Sequence, residues 1–159
     1  MITILGRDEL SDRILGYRPK NWDWKNQPGW QEGQTKLLEK NIVISVNDRD
    51  LLFDQPHEDL HSLVFQDIWP EIAQDWPGNK LFTKEQAKDT VEFIRNRILR
   101  DDVKKHIIVH CAAGISRSAA IATFIAEKVG YPVGELKKAR PFIHPNPWVL
   151  KLLREADKE

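Results

Sequence analysis

The sequence predicts an α/β fold: one domain over residues 1–159, with a mainly parallel central sheet of four to five strands and helices on both faces. Three observations predict it. Short β-branched runs alternate with segments of helical period, as successive βαβ units require. One run, "HIIVH" (106–110), is apolar at its centre without alternation, the pattern of a strand buried on both sheet faces. The length of 159 residues suffices for one core, since a domain of this size buries roughly 68–70% of its unfolded surface.

The elements follow in order. "ITIL" (2–5) predicts a short buried strand, and "RDELSDRIL" (7–15) a helix with Leu10, Ile14 and Leu15 near one face. Residues 17–34 hold two prolines, two glycines and three tryptophans. That composition predicts a long loop, and long loops in compact domains are often functional. "NIVISV" (41–46) is a second strand, with turn chemistry in the "NDRD" behind it. "LHSLVF" (60–65) is a third, leading into a second loop over 66–82.

Thr83 and Gln86 form a capping box, and Ala87, Val91, Ile94 and Ile98 recur at helical spacing, predicting a helix through Arg100. After the 106–110 strand, a helix is expected from about Arg117 to Val129, stopped by Gly130. "VGELKKA" (133–139) predicts a short helix halted before Pro141. Asn146 as cap and Pro147 at the first position start the last helix, through about Ala156.

Composition narrows the function by exclusion. The chain is 41% hydrophobic and 30% charged, with Lys plus Arg and Asp plus Glu at 24 each. No global field therefore selects nucleic acid or an anionic membrane. No apolar run approaches the ~18 residues of a membrane span, and "MITILGRDEL" lacks the pattern of a signal peptide. The expectation is a cytoplasmic protein without nucleic-acid or membrane partners. One cysteine makes no internal disulfide, which fits a reducing compartment and leaves a free thiol to explain.

That thiol, Cys111, directly follows "IIVH", where ligands bind in open α/β sheets. The segment "CAAGISR" places the backbone amides of Ala112, Ala113, Gly114, Ile115, Ser116 and Arg117 in a tight turn that Gly114 permits. Amides curled in this way form an anion nest, and the following helix N-terminus adds positive dipole. Small side chains at 112–114 let a tetrahedral anion approach the backbone, and the Arg117 fork matches two phosphate oxygens. The same field acts on sulfur. Helix N-termini and cations lower cysteine pKa values from about 8.5 to ~3.5–7.5, and three pKa units correspond to about 4 kcal/mol. One loop thus binds a dianion and ionises a nucleophile beneath it, the requirements of phosphate-ester hydrolysis.

His110-Cys111, five residues, then Arg117-Ser118 matches the H-C-x5-R-[ST] signature and resembles the cysteine-dependent protein tyrosine phosphatases. "HCAAGISRS" resembles their dual-specificity branch, in the style of small microbial and phage-type members. "TKEQAKDTVEFI" is similar to the helix before the signature strand, and "ARPFIHPNPWVLKLL" to the family's R-P…P-N segment and closing helix. The resemblance covers about residues 40–155. It implies the phosphatase fold and hydrolysis of phosphotyrosine, with phosphoserine or phosphothreonine as further substrates, or of small aryl phosphates. The phosphorylated protein or aryl phosphate is then the partner, and neither cofactor nor metal is needed.

The resemblance also implies roles. Cys111 attacks phosphorus and carries the thiophosphate, while Arg117 and the loop amides hold the equatorial oxygens. Ser118 donates to the leaving sulfur, and His110 braces the loop. Asn146, at least a helix cap, packs near the loop. The family's general acid is an aspartate after an upstream strand, and three carboxylates qualify. Asp67 in "VFQDI" follows the third strand directly and is favoured; Asp75 in "QDWPGN" is the alternative; Glu71 in "WPE" is the third. Uncharged Ala112, Ala113, Ile115 and Ser116 count against phosphoinositide or RNA triphosphate substrates.

Other features read more plainly. His57 and His61 lack the H-E-x-x-H order, so packing is expected there rather than a metal. Trp22, Trp24 and Trp30 either line an aryl-phosphate pocket or, the favoured reading, cover a satellite core. Lys137, Lys138 and Arg140 read as a solvated helix face, Arg140 as a last-turn cation. Two rival functions remain: a phosphobinding module that has lost catalysis, and a thiol-based arsenate reductase or sulfurtransferase. A reductase ordinarily wants further cysteines, and this chain has none.

Overall fold

Four strands pair in the order β1-β4-β2-β3, all parallel, in a computed structural model that describes residues 1–100, 102 and 105–159. They are β1 (Ile2–Gly6), β2 (Asn41–Asn47), β3 (Leu60–Val64) and β4 (His106–Cys111). The two central strands are the two most apolar runs, as burial on both faces demands. Alternation then sorts their side chains. Ile42, Ile44, Val46, Ile107 and Val109 enter one core, and Val43 and Ile108 enter the other.

Helices cover both faces as expected. α1 (Arg7–Leu15) and α2 (Trp30–Lys40) close the smaller core with Leu10, Ile14, Trp30 and Leu38. On the other side lie α4 (Lys84–Arg97), α5 (Arg117–Val129), α6 (Val133–Ala139) and α7 (Pro147–Asp157), with Phe124, Ile125, Leu152 and Leu153 buried. α3 (Pro70–Ala73) is a single turn in the loop after β3. The Thr83–Gln86 capping box opens α4: Gln86 N–H donates to Thr83 Oγ1 over 3.0 Å, and Thr83 N–H to Gln86 Oε1 over 3.1 Å.

Two expectations need correction. Residues 17–34 are not all loop: a 3₁₀ turn forms at Lys20–Trp22, and α2 starts at Trp30. Gly33 disguised that helix, because a glycine four residues after Gly29 reads as a breaker. Its reason is packing: a Cβ there would stand 2.0 Å from the Ile14 carbonyl oxygen, so α2 crosses α1 at backbone distance. The helix predicted through Arg100 ends at Arg97. At its end lies an ion cluster at the amino edge of the sheet, where Arg97 and Lys105 both donate to buried Asp59, over 2.5 and 2.6 Å. Burial pushes the Asp59 carboxyl upward, but hydrogen bonds from Lys105 and Arg97 bring it below its ordinary value.

The register sets the site. Gly6 pairs with Cys111 and Ser45 with His110, so β1, β4 and β2 end at one edge of the sheet. The loop after β4 is held there between the chain leaving β1 and the chain leaving β2. No helix among the described residues is long and apolar enough to cross a membrane.

Candidate active site

The loop from Cys111 to Arg117 is built by turning its carbonyls outward. Arg7 N–H donates to the Ala112 carbonyl over 3.0 Å, His144 N–H to Ile115 over 2.8 Å, and Asn146 N–H to Ser116 over 3.1 Å. Arg140 takes two more: Nε donates to the Gly114 carbonyl (2.7 Å) and Nη2 to that of Ala113 (3.1 Å). Glu9 fixes that guanidinium, accepting from Nη1 over 3.0 Å and Nη2 over 2.5 Å. Arg140 is therefore a brace of the loop, correcting the solvated-cation reading. The amides of Gly114 and Ser118 turn the other way, toward the Cys111 sulfur. Gly114 allows the turn at φ 68°, and a Cβ there would meet the Gly6 nitrogen at 2.6 Å.

Cys111 lies beneath this loop, 2% exposed, with Sγ 3.1 Å from Ser118 Oγ in the first turn of α5. Burial alone would raise its pKa. The Ser118 hydroxyl and amide, the Arg117 charge and the Gly114 amide outweigh burial and hold the thiol below its ordinary value.

Arg117 is buried and aimed by two acceptors. Its Nη1 donates to Asp48 Oδ1 and to the Phe65 carbonyl, both over 2.7 Å. Its Nε–H, also buried, has no hydrogen-bond partner among the described residues. A buried guanidinium fixed at one corner with a free N–H is suited to receive an oxyanion. Asp48, read as turn chemistry in the sequence, is thus the positioning carboxylate for Arg117.

Beneath His110 runs a buried polar chain. Asn47 Nδ2 donates to Ser45 Oγ over 3.2 Å, Ser45 Oγ lies 2.6 Å from His110 Nε2, and His110 Nδ1 lies 3.4 Å from the Cys111 carbonyl. These partners assign the proton to Nδ1, with Ser45 donating to Nε2. Sequence reading missed Ser45 and Asn47. Their signal was present: Ser45 interrupts the apolar run of a central strand, and Asn47 ends it.

Burial first, with the charges of Arg7 and Arg117, lowers His110 to about 4 against an opposing backbone hydrogen bond at Cys111. The folded pKa lies below the unfolded one, so the neutral ring's stabilisation is complete above 6.5 and is lost as pH falls toward 4. Urea unfolding of wild type and His110→Gln should show the cost of the substitution shrinking by about 2 kcal/mol between about pH 7.5 and about pH 5. A pH-independent difference would refute a neutral buried imidazole.

Asp67 reaches the loop. Its Oδ1 accepts from Ser116 Oγ and from Asn146 Nδ2, both over 2.8 Å, while Asn146 Oδ1 caps α7 by accepting the Trp148 and Val149 amides. Asp75 lies exposed in the turn after α3, and among the described residues its carboxylate and that of Glu71 have no hydrogen-bond partner at the loop. His57 and His61 are not gathered with other ligands: His57 Nδ1 accepts the Asp59 amide, and His61 stacks on Phe93 at 5.1 Å. Trp30 and Trp24 join the smaller core, while Trp22 stays 53% exposed.

No protein-family model and no curated protein matches the chain. Solved structures do. The PTP-2 phosphatase of Cydia pomonella is 17% identical over 81% of each chain, with a TM-score of 0.50. Human DUSP28 is 15% identical over 99% of this chain and 91% of its own, at 0.47. The human tyrosine phosphatase-like serine/threonine/tyrosine-interacting protein is 21% identical, covering 82% and 83%, at 0.46. The fold is that of the dual-specificity and protein tyrosine phosphatases.

Proposed function

We propose that this phosphatase-fold chain hydrolyses phosphotyrosine, phosphoserine and phosphothreonine, or aryl phosphate monoesters, through a cysteinyl-phosphate intermediate. One observation carries the reading: a lone buried thiol, drawn below its ordinary pKa, sits beneath an outward-braced loop beside a guanidinium with an unpartnered N–H.

The Cys111 thiolate attacks phosphorus in line. An S–P bond forms as the ester P–O bond breaks, and Asp67 gives its proton to the departing oxygen. Arg117 and the amides from Ala112 to Arg117 hold the three equatorial oxygens as charge spreads. Water then attacks the phosphocysteine while the Asp67 carboxylate takes its proton. The S–P bond breaks, inorganic phosphate leaves, and Ser118 donates to the re-formed thiolate. Asp67 Oδ1 is held by Ser116 and Asn146, leaving Oδ2 for the proton. Atoms and protons balance without a metal or a cofactor.

The test joins turnover to the state of the sulfur. The protein should hydrolyse 4-nitrophenyl phosphate, and iodoacetate should inactivate it by alkylating Cys111 faster than it does a free thiol near neutral pH. Inorganic phosphate should slow that alkylation. An ordinary alkylation rate that phosphate does not change would overturn the reading.

A further inference from the structure

A cavity of about 440 Å³ is walled in part by Trp22, Trp24, Trp30 and Leu52. Arg7 belongs to its wall and also to the 280 Å³ cleft that reaches Ala112 of the nest. The two spaces therefore share one residue, Arg7. Arg7 is fixed there, its Nη1 donating to Asn47 Oδ1 over 2.9 Å and to the Asp50 carbonyl over 3.2 Å.

The aromatic wall is set in advance. Trp24 Nε1 donates to Asp12 Oδ1 over 3.0 Å, and the Trp22 ring stands edge-on to Trp24 at 5.7 Å. The Arg18 guanidinium, paired with Asp12 at 2.7 Å, lies 4.2 Å over Trp22. Core packing accounts for Trp24 and Trp30 but not for Trp22, which is 53% exposed. Its backbone is strained as well. Asn21 and Trp22 stand consecutively at φ 61° and 58°, a region that a bulky aromatic residue rarely adopts and that tends to survive at ligand clamps. Trp30 beside it is 2% exposed, and among the described residues its buried indole N–H has no acceptor.

We propose that this cavity is a second subsite of the phosphate cleft, receiving an apolar or aromatic side chain that flanks the phosphorylated residue of a peptide substrate. The assignment rests on the phosphate-nest reading above. A small aryl phosphate ends where its ring ends, so a ligand that fills both spaces must continue past the phosphorylated group and across Arg7. A peptide does so. It supplies a side chain for the indole faces and carbonyl oxygens for the Arg7 guanidinium. Rigid, pre-positioned tryptophans take such a side chain at small entropic cost.

The test measures binding to Cys111→Ser protein, which holds a phosphopeptide without turning it over. Fluorescence anisotropy would compare phosphotyrosyl peptides that carry Trp, Leu or Ser at the positions flanking the phosphotyrosine. At the best position, Trp or Leu should bind about tenfold tighter than Ser. Adding Trp22→Gly should erase that ratio. Glycine accepts the positive φ, so this variant eases the backbone rather than endangering the fold. Trp22→Phe should restore most of the preference, and unphosphorylated peptides should bind to neither protein. Equal affinities for all peptides, a ratio that survives Trp22→Gly, or binding that ignores the phosphate would each overturn the subsite. Failure of the phosphatase reading appears separately, as absent 4-nitrophenyl phosphate hydrolysis by the wild type, and leaves the binding comparison intact.

Discussion

Cys111→Ser should lower turnover of 4-nitrophenyl phosphate by at least ~10⁴-fold while phosphate-ester binding is kept. The substitution changes one atom, and the surroundings explain why it matters. The Ser118 hydroxyl and amide, the Gly114 amide and the Arg117 charge draw the thiol below its ordinary pKa against the cost of burial. The same donors cannot bring a serine hydroxyl, intrinsically a far weaker acid, to its anion near neutral pH. The nest is otherwise untouched, since Arg7, Arg140, His144 and Asn146 hold its carbonyls and none of them contacts the sulfur. Removing the thiolate also removes a negative charge beneath the bound dianion, so phosphopeptide affinity should stay equal or tighten. Steady-state rates and anisotropy titrations read the two quantities apart. Equal turnover by wild type and variant, with phosphopeptide binding intact, would mean that the chain binds phosphate esters and does not cleave them.

What could be read from the sequence was what is local in it. The proposed nucleophile, amide nest and arginine occupy consecutive positions from Cys111 to Arg117, and the strand before and helix after them announce themselves by apolar runs. The Asn146 cap and the Thr83–Gln86 box are likewise short-range devices, and the structure holds them as expected. The residues that brace the loop are different, because topology alone brings them there. Arg140 and Glu9 meet across 131 residues, and Arg117 and Asp48 across 69. Nothing near Arg140 in the chain distinguishes a loop brace from a helix-end cation. Ser45 and Asn47 could have been flagged, because a polar group in a doubly buried strand needs a partner. α2 stayed hidden for a further reason: its glycine answers to the Ile14 carbonyl on another helix, not to its own propensity.

Asp67, which touches the loop, and Asp75, which does not, make different predictions as the general acid. Asp67→Asn should lower kcat by ~10²–10⁴-fold on phenyl phosphate, and Asp75→Asn should stay within about twofold. Asparagine keeps an Oδ1 acceptor for Ser116 Oγ and Asn146 Nδ2, so the loop contacts survive and the transferable proton alone is lost. The size of the defect should track the leaving group. Phenoxide is a strong base and needs protonation as the P–O bond breaks, whereas 4-nitrophenoxide departs with less help. The Asp67→Asn penalty should therefore be clearly smaller on 4-nitrophenyl phosphate than on phenyl phosphate. The decline of the wild-type rate on the alkaline side, where the acid has lost its proton, should flatten in the variant. If Asp75→Asn carries the leaving-group dependence instead, the exposed turn after α3 must swing over the nest during turnover. The Ser116–Asp67–Asn146 contact would then serve only to fasten the loop to α7.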